Sequence, residues 1–406
     1  MKYQFNSIIS ISAEHLRLFA LAIVFYLCFG PFTLVTASGG ISANYFFILV
    51  PIIYLLKDLK IYLPNKDLNM LMMCFISIFI LSVIFQPNHW DILHRKFISF
   101  LLFMTAFSFA FMRINAQMIL AFKIGLILFT TYLALDNFLE YRSFDADELG
   151  YAAKDQVGNQ RFGFMFVFAF WVTLFLKTQS RFLNLVKIPI LILLFTGIFL
   201  TFSRSSVVAF AGSLFFLFFH FVRSTKIFNL RLIISIFIYT TILFLIVFFT
   251  GYYEYLSVPF EFFGDKLDEL LSGDGINLSN TYSSEGYRIY LIREILNYVS
   301  GSPLFGSGYL GIWYILPEGI GSAHGQYNDI LFRTGFIGLI LYGYLLIKLS
   351  GFLRSKDLGM YVGFWGILVF GLFHETFKLG HGAFIFAFII GMWASSLRDK
   401  HINQAS

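Results

Sequence analysis

The sequence predicts an all-α membrane protein, a polytopic bundle of about twelve transmembrane helices with a large loop on the outer face of the membrane. Hydrophobic residues make up 58% of the 406-residue chain and charged residues only 13%, whereas a soluble domain carries about 25% charged residues. The apolar residues form continuous runs, each near the roughly 20 residues that a membrane helix needs, without the short alternating pattern of an outer-membrane barrel. A soluble enzyme and a separate soluble domain are therefore excluded.

Twelve apolar stretches bounded by charged or turn-forming residues define the predicted spans. They are residues 16–36, 41–56, 68–86, 97–112, 117–139, 162–177, 186–203, 206–222, 230–252, 327–350, 358–375 and 380–397. We divide this single membrane domain into nine N-terminal spans (1–252), a large outer loop (253–326) and three C-terminal spans (327–406). The polar leader before the first span is too long for a cleaved signal peptide, so this span is expected to remain.

The distribution of Lys and Arg predicts that both termini are cytoplasmic. With this orientation more than half of the 29 Lys and Arg residues lie inside, although the outside loops are longer. Two short inside loops carry the clusters Lys177, Arg181 and Lys187, and Arg223, Lys226 and Arg231. The net charge of +6 therefore reflects membrane orientation rather than nucleic-acid binding. The two cysteines, Cys28 and Cys74, lie inside apolar runs, which excludes a disulfide framework and a cysteine-based metal site.

Two outer loops are much longer than the other connections, and long loops commonly carry function. Residues 140–161 form an acidic loop, and residues 253–326 contain a stretch with helix start and stop signals from Gly286 to Ser300. A helical repeat places four apolar residues of this stretch on one face, with Arg288 on the same side. These four are Ile292, Ile295, Leu296 and Val299. We expect a short amphipathic helix on the membrane surface.

Charged side chains at membrane depth are costly, so each is a functional candidate. Arg204 lies next to Ser203 in a polar notch between two apolar runs, Arg288 lies in the large loop, and Arg161 precedes a span. For each arginine the alternative is anchoring to lipid headgroups. His324 ends the large loop, and an imidazole with an unperturbed pKa near 6.5 can take a proton from a hydroxyl. The alternative for His324 is a purely structural role.

Metal binding is the less favoured interpretation of two further groups. His374, Glu375 and His381 surround a short outer loop, but no second ligand cluster supports them. Asp145 and Asp147 form an Asp-x-Asp pair within an acidic loop, where a solvated surface explains them better. We therefore predict no metal.

The arginines and the histidine are all predicted at the outer membrane boundary. Arginine binds phosphate oxygens with a planar fork and stays charged when partly dehydrated. The set favours an anionic lipid-linked substrate with a diphosphate leaving group. Arginines would neutralise the departing diphosphate while a histidine deprotonates the incoming hydroxyl, without a metal or a nucleotide.

These residues resemble the O-antigen ligase and polymerase superfamily over residues 186–350. The resemblance rests on Ser203 to Ser205, on Arg288, on the stretch from Gly301 to Gly308, and on His324 followed by Gly-x-x-Gly at Gly335 and Gly338. Gly325 stands where the family has a polar residue, and Gln326 comes one place later.

The resemblance implies transfer of an undecaprenyl-diphosphate-linked glycan to an acceptor hydroxyl, with inversion, at the periplasmic face of a bacterial inner membrane. It implies that His324 is the general base and that Arg204 and Arg288, with Arg161 as a third cation, hold the diphosphate. Ser203 and Gln326 would support these residues, and Gly335 and Gly338 would let their span pack closely against a neighbour.

Three versions of this transfer reaction remain open, together with one alternative of another class. In a ligase the acceptor is a sugar of the lipid A core, and in a polymerase it is another lipid-linked repeat unit. A protein-glycosylating relative is a further version of the same chemistry, and we favour the ligase by analogy. The alternative of another class is a transporter of lipid-linked glycans or solutes, but the halves of the chain show no convincing internal repeat.

Overall fold

The computed structural model describes residues 51–52, 66–86, 89–141, 162–178, 180–201, 203–224, 284–316, 323–377 and 380–405, and most of these residues are helical, with no strand among them. The helices are α1 (Lys66–Phe85), α2 (Leu93–Met104), α3 (Ala116–Tyr141), α4 (Gly163–Phe175), α5 (Arg181–Leu200), α6 (Arg204–Ser224), α7 (Ser284–Gly301), α8 (Gln326–Lys356), α9 (Leu358–Phe370) and α10 (Gly380–Ala405). Short 3₁₀ helices occur at Thr105–Phe111 and Ile312–Tyr314.

Within the described residues, six helices are long and apolar enough to cross a membrane: α1, α3, α5, α6, α8 and α10. They coincide with the predicted spans 68–86, 117–139, 186–203, 206–222, 327–350 and 380–397. Predicted spans 162–177 and 358–375 form the shorter apolar helices α4 and α9. Predicted spans 16–36 and 230–252, and all but the 51–52 end of span 41–56, lie outside the described residues. The count of twelve therefore stays a prediction.

The predicted span 97–112 is not one continuous α-helix. It consists of the end of α2 followed by the 3₁₀ helix Thr105–Phe111. The Thr105 hydroxyl donates to the carbonyl oxygen of Leu102 at 2.6 Å, so it bonds an i−3 carbonyl at the change from α to 3₁₀ geometry. The length of an apolar run does not distinguish an α-helix from a 3₁₀ helix, which has three residues per turn. Hydropathy alone therefore could not locate the change from one to the other.

The chain forms two compact units. The first contains residues 1–129, 290–355 and 374–406, and the second contains residues 130–289 and 356–373. In the first unit α10 is buried from Gly380 to Ser395 and packs against the 3₁₀ helix Thr105–Phe111. The Ser395 hydroxyl accepts from the amide of Ile114 at 2.8 Å, and Arg398 donates to the carbonyl of Met112 at 2.6 Å. Both contacts satisfy backbone groups just beyond the 3₁₀ helix.

In the second unit α4 lies buried against α5 and α9. A Cβ on Gly359 would come 2.7 Å from the carbonyl oxygen of Trp171, and one on Gly363 would come 2.7 Å from the ring of Phe168. Small residues at helical spacing allow helix axes to approach closely in membrane proteins. The Trp171 indole donates to Ser213 of α6 at 2.7 Å, so this buried polar group is satisfied.

Candidate active site

Helix α8 is broken at Gly335, where φ is +64° and ψ is −167°. The backbone groups released by the break pair with residues 301–309, which we call the glycine loop. The amide of Phe336 donates to Pro303 at 2.9 Å, and the carbonyl oxygens of Phe332 and Arg333 each accept from the loop at 2.7 Å. A break in a membrane helix leaves costly unpaired groups unless another segment supplies partners. The glycine loop supplies them here.

Glycine is required on both sides of this contact. A Cβ on Gly335 would lie 2.5 Å from the carbonyl oxygen of Leu304, and one on Gly306 (φ +56°) would lie 2.7 Å from the amide nitrogen of Gly335. The neighbour that packs closely on Gly335 is therefore the glycine loop. Gly338 has a different neighbour, because a Cβ there would collide with the side chain of Thr334 in its own helix.

The glycine loop is also fixed to α1 and to Gln86, the residue that directly follows α1. The Gln86 carboxamide donates to the carbonyl oxygen of Gly306 at 2.6 Å and to the Ser302 hydroxyl at 2.9 Å. The hydroxyl of Tyr309, a fully buried residue, donates to the carbonyl oxygen of Phe75 at 2.8 Å. A loop held by α8, by α1 and by the Gln86 side chain has one defined conformation, which preorganises whatever it supports.

Behind the glycine loop lies a buried lysine, Lys96 of α2. Its ammonium contacts the Gln86 side chain at 2.8 Å, the Ser82 carbonyl at 3.2 Å and His89 Nδ1 at 3.4 Å. It makes no ion pair with any residue that the structure describes. Lys96 comes before the predicted span 97–112, and burial lowers the pKa of its ammonium to about 8. The sequence did not single out Lys96, although it is a charge at the edge of an apolar run.

His324 lies in a tightly constrained turn that leads into α8. Its φ is +48°, a left-handed conformation. On one side the Ala323 amide donates to the carboxylate of buried Glu375. On the other side Gln326 accepts from the Phe377 amide at 2.8 Å. Both hydrogen-bond partners, Glu375 and Phe377, lie in residues 374–377. The turn that contains His324 is therefore held by a hydrogen bond on each side.

A cavity of about 320 Å³ lies in the first unit and is lined by residues of α8 from Gln326 to Leu345. Its polar lining includes Gln326, Asp329 and Arg333, and Trp313 and Tyr342 contribute aromatic walls. Arg333 Nε donates to Asp329 Oδ2 at 2.7 Å, and Arg333 Nη1 donates to the Tyr309 carbonyl at 2.9 Å. The cavity therefore shares Arg333 with the glycine loop and Gln326 with the His324 turn.

Sequence reasoning missed most of this cavity. Asp329 and Arg333 were not proposed as site residues, although they lie four residues apart inside the predicted span 327–350. Opposite charges at that spacing in a membrane helix face the same side and are a functional signal. Tyr342 gave no such signal, because a tyrosine in a span is ordinary.

Arg204 and Ser203 lie in the second unit. Arg204 is the first residue of α6 and is half-buried. The Ser203 carbonyl accepts from the Ser206 amide at 2.9 Å, and the Thr201 hydroxyl donates to that of Ser206 at 3.0 Å. Thr201, Ser203, Ser205 and Ser206 are all buried. The predicted polar notch is therefore a turn lined with buried hydroxyls at the start of a helix.

Arg288 is half-buried in α7, which covers the stretch predicted to be helical. The four apolar residues expected on one face divide into two sets. Ile295 and Val299 are buried, whereas Ile292 and Leu296 are 39% and 49% exposed. Arg288 precedes Ile295 by seven residues and so lies on the side of the buried set. The position of this helix relative to the membrane stays a prediction.

The structure thus groups four of the predicted residues, His324, Gln326, Gly335 and Gly338, in the first unit. Ser203, Arg204 and Arg288 belong to the second unit. Arg161, Asp145 and Asp147 lie outside the described residues. No group of three or more His, Cys, Asp and Glu side chains suited to a metal ion occurs within the part of the chain that the structure describes.

Residues 189–343 match the family model described as O-Antigen ligase. The match spans well under half of the chain, but it includes Arg204, Arg288, the glycine loop, His324 and Gly335. The apolar helices indicate a multi-pass membrane protein. The matched segment is similar to the O-antigen ligase family, which confirms the resemblance drawn from the sequence. No curated protein matches the chain significantly.

Proposed function

We propose that the protein transfers an undecaprenyl-diphosphate-linked oligosaccharide or polysaccharide to a hydroxyl of a lipid A core sugar. The reaction takes place at the periplasmic face of the bacterial inner membrane, and both termini are cytoplasmic. The observation that carries this proposal is the O-antigen ligase match over residues 189–343, which includes His324 and two of the proposed arginines. A polymerase would use the same chemistry with a lipid-linked repeat unit as the acceptor.

His324 acts as the general base. Its imidazole takes the proton from the acceptor hydroxyl as the hydroxyl oxygen attacks the anomeric carbon of the donor. The bond from that carbon to the diphosphate breaks, its electron pair leaves with the diphosphate, and the anomeric configuration inverts. The two hydrogen bonds that hold the His324 turn support this role, because a base must be held in position relative to the reacting proton.

Arg204 and Arg288 bind the diphosphate, and Arg161 is a third cation. Arg204 is supported by its place at the first residue of α6, since a helix N-terminus favours anions. Arginines that pair with phosphate oxygens also stabilise the charge that develops on the leaving group. The proposed reaction uses neither a metal nor a nucleotide cofactor.

The first experiment compares cells that lack the gene with cells in which it is restored. A gel of lipopolysaccharide is run beside an assay of undecaprenyl-linked glycan. Loss of all core-attached repeats while long lipid-linked chains persist supports the ligase. Core that carries a single repeat, with no long chains in either fraction, indicates the polymerase. Unchanged profiles in both assays contradict the proposal and favour a transporter or another glycan.

The second experiment tests the assigned residues in the same cells. Loss of a general base commonly costs about 10²–10⁴-fold in rate, so His324→Ala should abolish visible transfer. His94→Ala, an exposed histidine in α2, is the matched control and should transfer normally.

Arg204→Lys keeps the charge but loses the fork, so it should impair transfer if the phosphate contact is bidentate. Arg181→Lys, at the exposed start of α5, is its control. Full transfer by His324→Ala or by Arg288→Ala, at wild-type levels of inserted protein, would show that the assigned role is wrong.

A further inference from the structure

We propose that Gln86 is a positioning residue for the transfer reaction, oriented by Lys96 and acting on His324 through the glycine loop and α8. This inference rests on the proposed function and adds two residues that lie outside the matched segment 189–343. Both belong to the first unit, as do the glycine loop and the His324 turn. Neither residue contacts substrate, so their effect on the reaction is confined to the position of the base.

The two ends of the Gln86 carboxamide have partners that cannot exchange roles. The Lys96 ammonium only donates, and it contacts Gln86 Oε1 at 2.8 Å. The carbonyl oxygen of Gly306 only accepts, and Gln86 Nε2 donates to it at 2.6 Å. A carboxamide turned by half a rotation would lose both hydrogen bonds. Lys96 therefore holds the donor end of Gln86 against the glycine loop.

Lys96 itself lies directly beneath the backbone of the loop. A Cβ on Gly308 (φ +61°) would come 2.5 Å from Lys96 Nζ, so the ammonium packs against the loop backbone. The Lys96 side chain is fully buried, and its other contacts are the Ser82 carbonyl and His89 Nδ1. Burying an ammonium without an ion pair to any described residue costs free energy that an apolar side chain would avoid. The lysine is therefore better explained by its hold on Gln86 than by stability.

The glycine loop connects this hold to the His324 turn by two routes. The loop is bonded to the backbone of α8 on both sides of the break, and α8 begins two residues after His324. The loop also follows directly from α7, whose buried residues Ile295 and Val299 cluster with Ala323, the neighbour of His324. A displaced loop would therefore shift the imidazole relative to the acceptor hydroxyl. A misplacement of about 1 Å can cost about 10²-fold in rate.

Gln86→Glu separates positioning from stability. Its carboxylate accepts from Lys96 and forms an ion pair with it, but it cannot donate to the Gly306 carbonyl. The variant should therefore release the loop while its melting temperature stays within a few degrees of that of the wild type.

The kinetic assay uses full-length protein in detergent, with core lipopolysaccharide and undecaprenyl-linked glycan extracted from cells that lack the gene. In Gln86→Glu we expect kcat to fall about tenfold to about a hundredfold, with KM for the donor changed less than about twofold. Gln117→Glu adds the same charge at the exposed start of α3. It is the matched control and should keep wild-type kinetics.

A double-mutant cycle tests whether Lys96 acts through Gln86. Gln86→Met and Lys96→Met should each lower kcat, and the double variant should be no slower than Gln86→Met alone. Lys66→Met, at the exposed start of α1, should keep the wild-type kcat. Additive losses would mean that Lys96 does not act through Gln86, which overturns the role given to the lysine.

Hydrogen exchange followed by mass spectrometry reports on the loop itself, without any transfer reaction. The amides of Ser307 and Tyr309 are bonded to α8, so they should exchange several-fold faster in Gln86→Glu than in the wild type. Unchanged exchange overturns the inference, even where the gel shows a ligase. Faster exchange with an unchanged kcat, or with a change confined to KM, overturns it as well.

Failure of the proposed function is seen separately, as absence of transfer by the wild-type protein. The role of Gln86 in transfer would then be wrong too, while the exchange rates would still show whether Gln86 holds the glycine loop. Faster loop exchange together with a lower kcat, at an unchanged melting temperature, supports the inference.

Discussion

Glycines bring backbones together in both units, but they do so in two different ways. In the second unit Gly359 and Gly363 of α9 are ordinary helical residues whose missing side chains let α4 approach. In the first unit Gly306 and Gly335 have positive φ and lie at a break in α8. There the contact is made by backbone hydrogen bonds between a helix and a loop.

The two kinds of contact place different demands on the backbone. Close helix packing needs small residues but leaves every backbone bond inside its own helix. A broken helix exposes amides and carbonyls that another segment must satisfy, so the break fixes that segment in place. Conformations accessible almost only to glycine are costly for other residues and cluster at functional sites. The His324 turn and the cavity lie along the same helix as the break.

The largest effect is expected from Gly335→Ala. The backbone angles at Gly335 cost a non-glycine residue about 1–3 kcal/mol, and the new Cβ would meet the Leu304 carbonyl at 2.5 Å. The glycine loop should detach from α8, glycan transfer should be lost, and the melting temperature of purified protein should fall. Thermal unfolding in detergent and the lipopolysaccharide gel measure the two effects.

Gly343→Ala is the control for this variant, since it lies in the same helix and a Cβ there meets nothing within 4 Å. It should be neutral or slightly stabilising, because alanine favours a helix interior by about 0.5–1 kcal/mol. Equal behaviour of the two variants would mean that the break at Gly335 is not essential.

A smaller effect is expected from Gly363→Ala in the second unit. The Cβ would lie 2.7 Å from the ring of Phe168 and 3.1 Å from its Cα, and overpacking of this kind costs about 1–3 kcal/mol. The melting temperature should fall, but the specific activity of the folded protein should stay near that of the wild type. A loss of specific activity equal to that of Gly335→Ala would contradict the distinction between the two kinds of contact.

Glu375→Gln tests whether side chains also position the His324 turn. The carboxylate accepts from the Ala323 amide, and hydrogen bonds to charged groups contribute about 1.5–3 kcal/mol. Only part of this should affect the reaction, so we expect transfer to fall about tenfold, which corresponds to about 1.4 kcal/mol. The initial rate of transfer in isolated membranes measures this effect, and an unchanged rate would show that the turn is fixed by its other contacts.

The sequence predicted the membrane helices well because apolar length is a local property. All six long helices that the structure describes match predicted spans, and the polar notch at Ser203 and Arg204 was also correctly located. The site was only partly predictable. A glycine at position 335 indicated a close approach, but not that the partner is Leu304, thirty-one residues earlier. The cavity escaped prediction because its lining comes from residues as distant as Phe103 and Phe386.

The polar network behind the glycine loop escaped prediction for the same reason. Gln86 and Gly306 are 220 residues apart in the chain, and nothing in either local segment identifies the other. Lys96 could have been noticed as a charge at the edge of a span. Its contacts with the Gln86 and His89 side chains depend on the path of the chain between α1 and α2, which hydropathy does not determine.

The smallest effect expected is a dependence of stability on pH that originates from Lys96. Its pKa in the folded protein is about 8, below the ordinary 10.5. Between these values the unfolded chain holds a proton that the folded protein has released, so the free energy of unfolding rises with pH across this window. Below pH 8 both states are protonated, and the folded protein bears the full cost of burying the ammonium. Lys96→Met removes the titrating group and keeps most of the volume.

The measurement is the melting temperature in detergent between about pH 7.5 and about pH 9.5. The wild type should gain a few degrees relative to Lys96→Met as the pH rises. Lys66→Met, at the exposed start of α1, should keep the wild-type dependence. If Lys96→Met and the wild type change in parallel, Lys96 does not titrate in this window. In that case the ammonium stays charged behind the glycine loop, and its contacts with Ser82, Gln86 and His89 compensate for its burial.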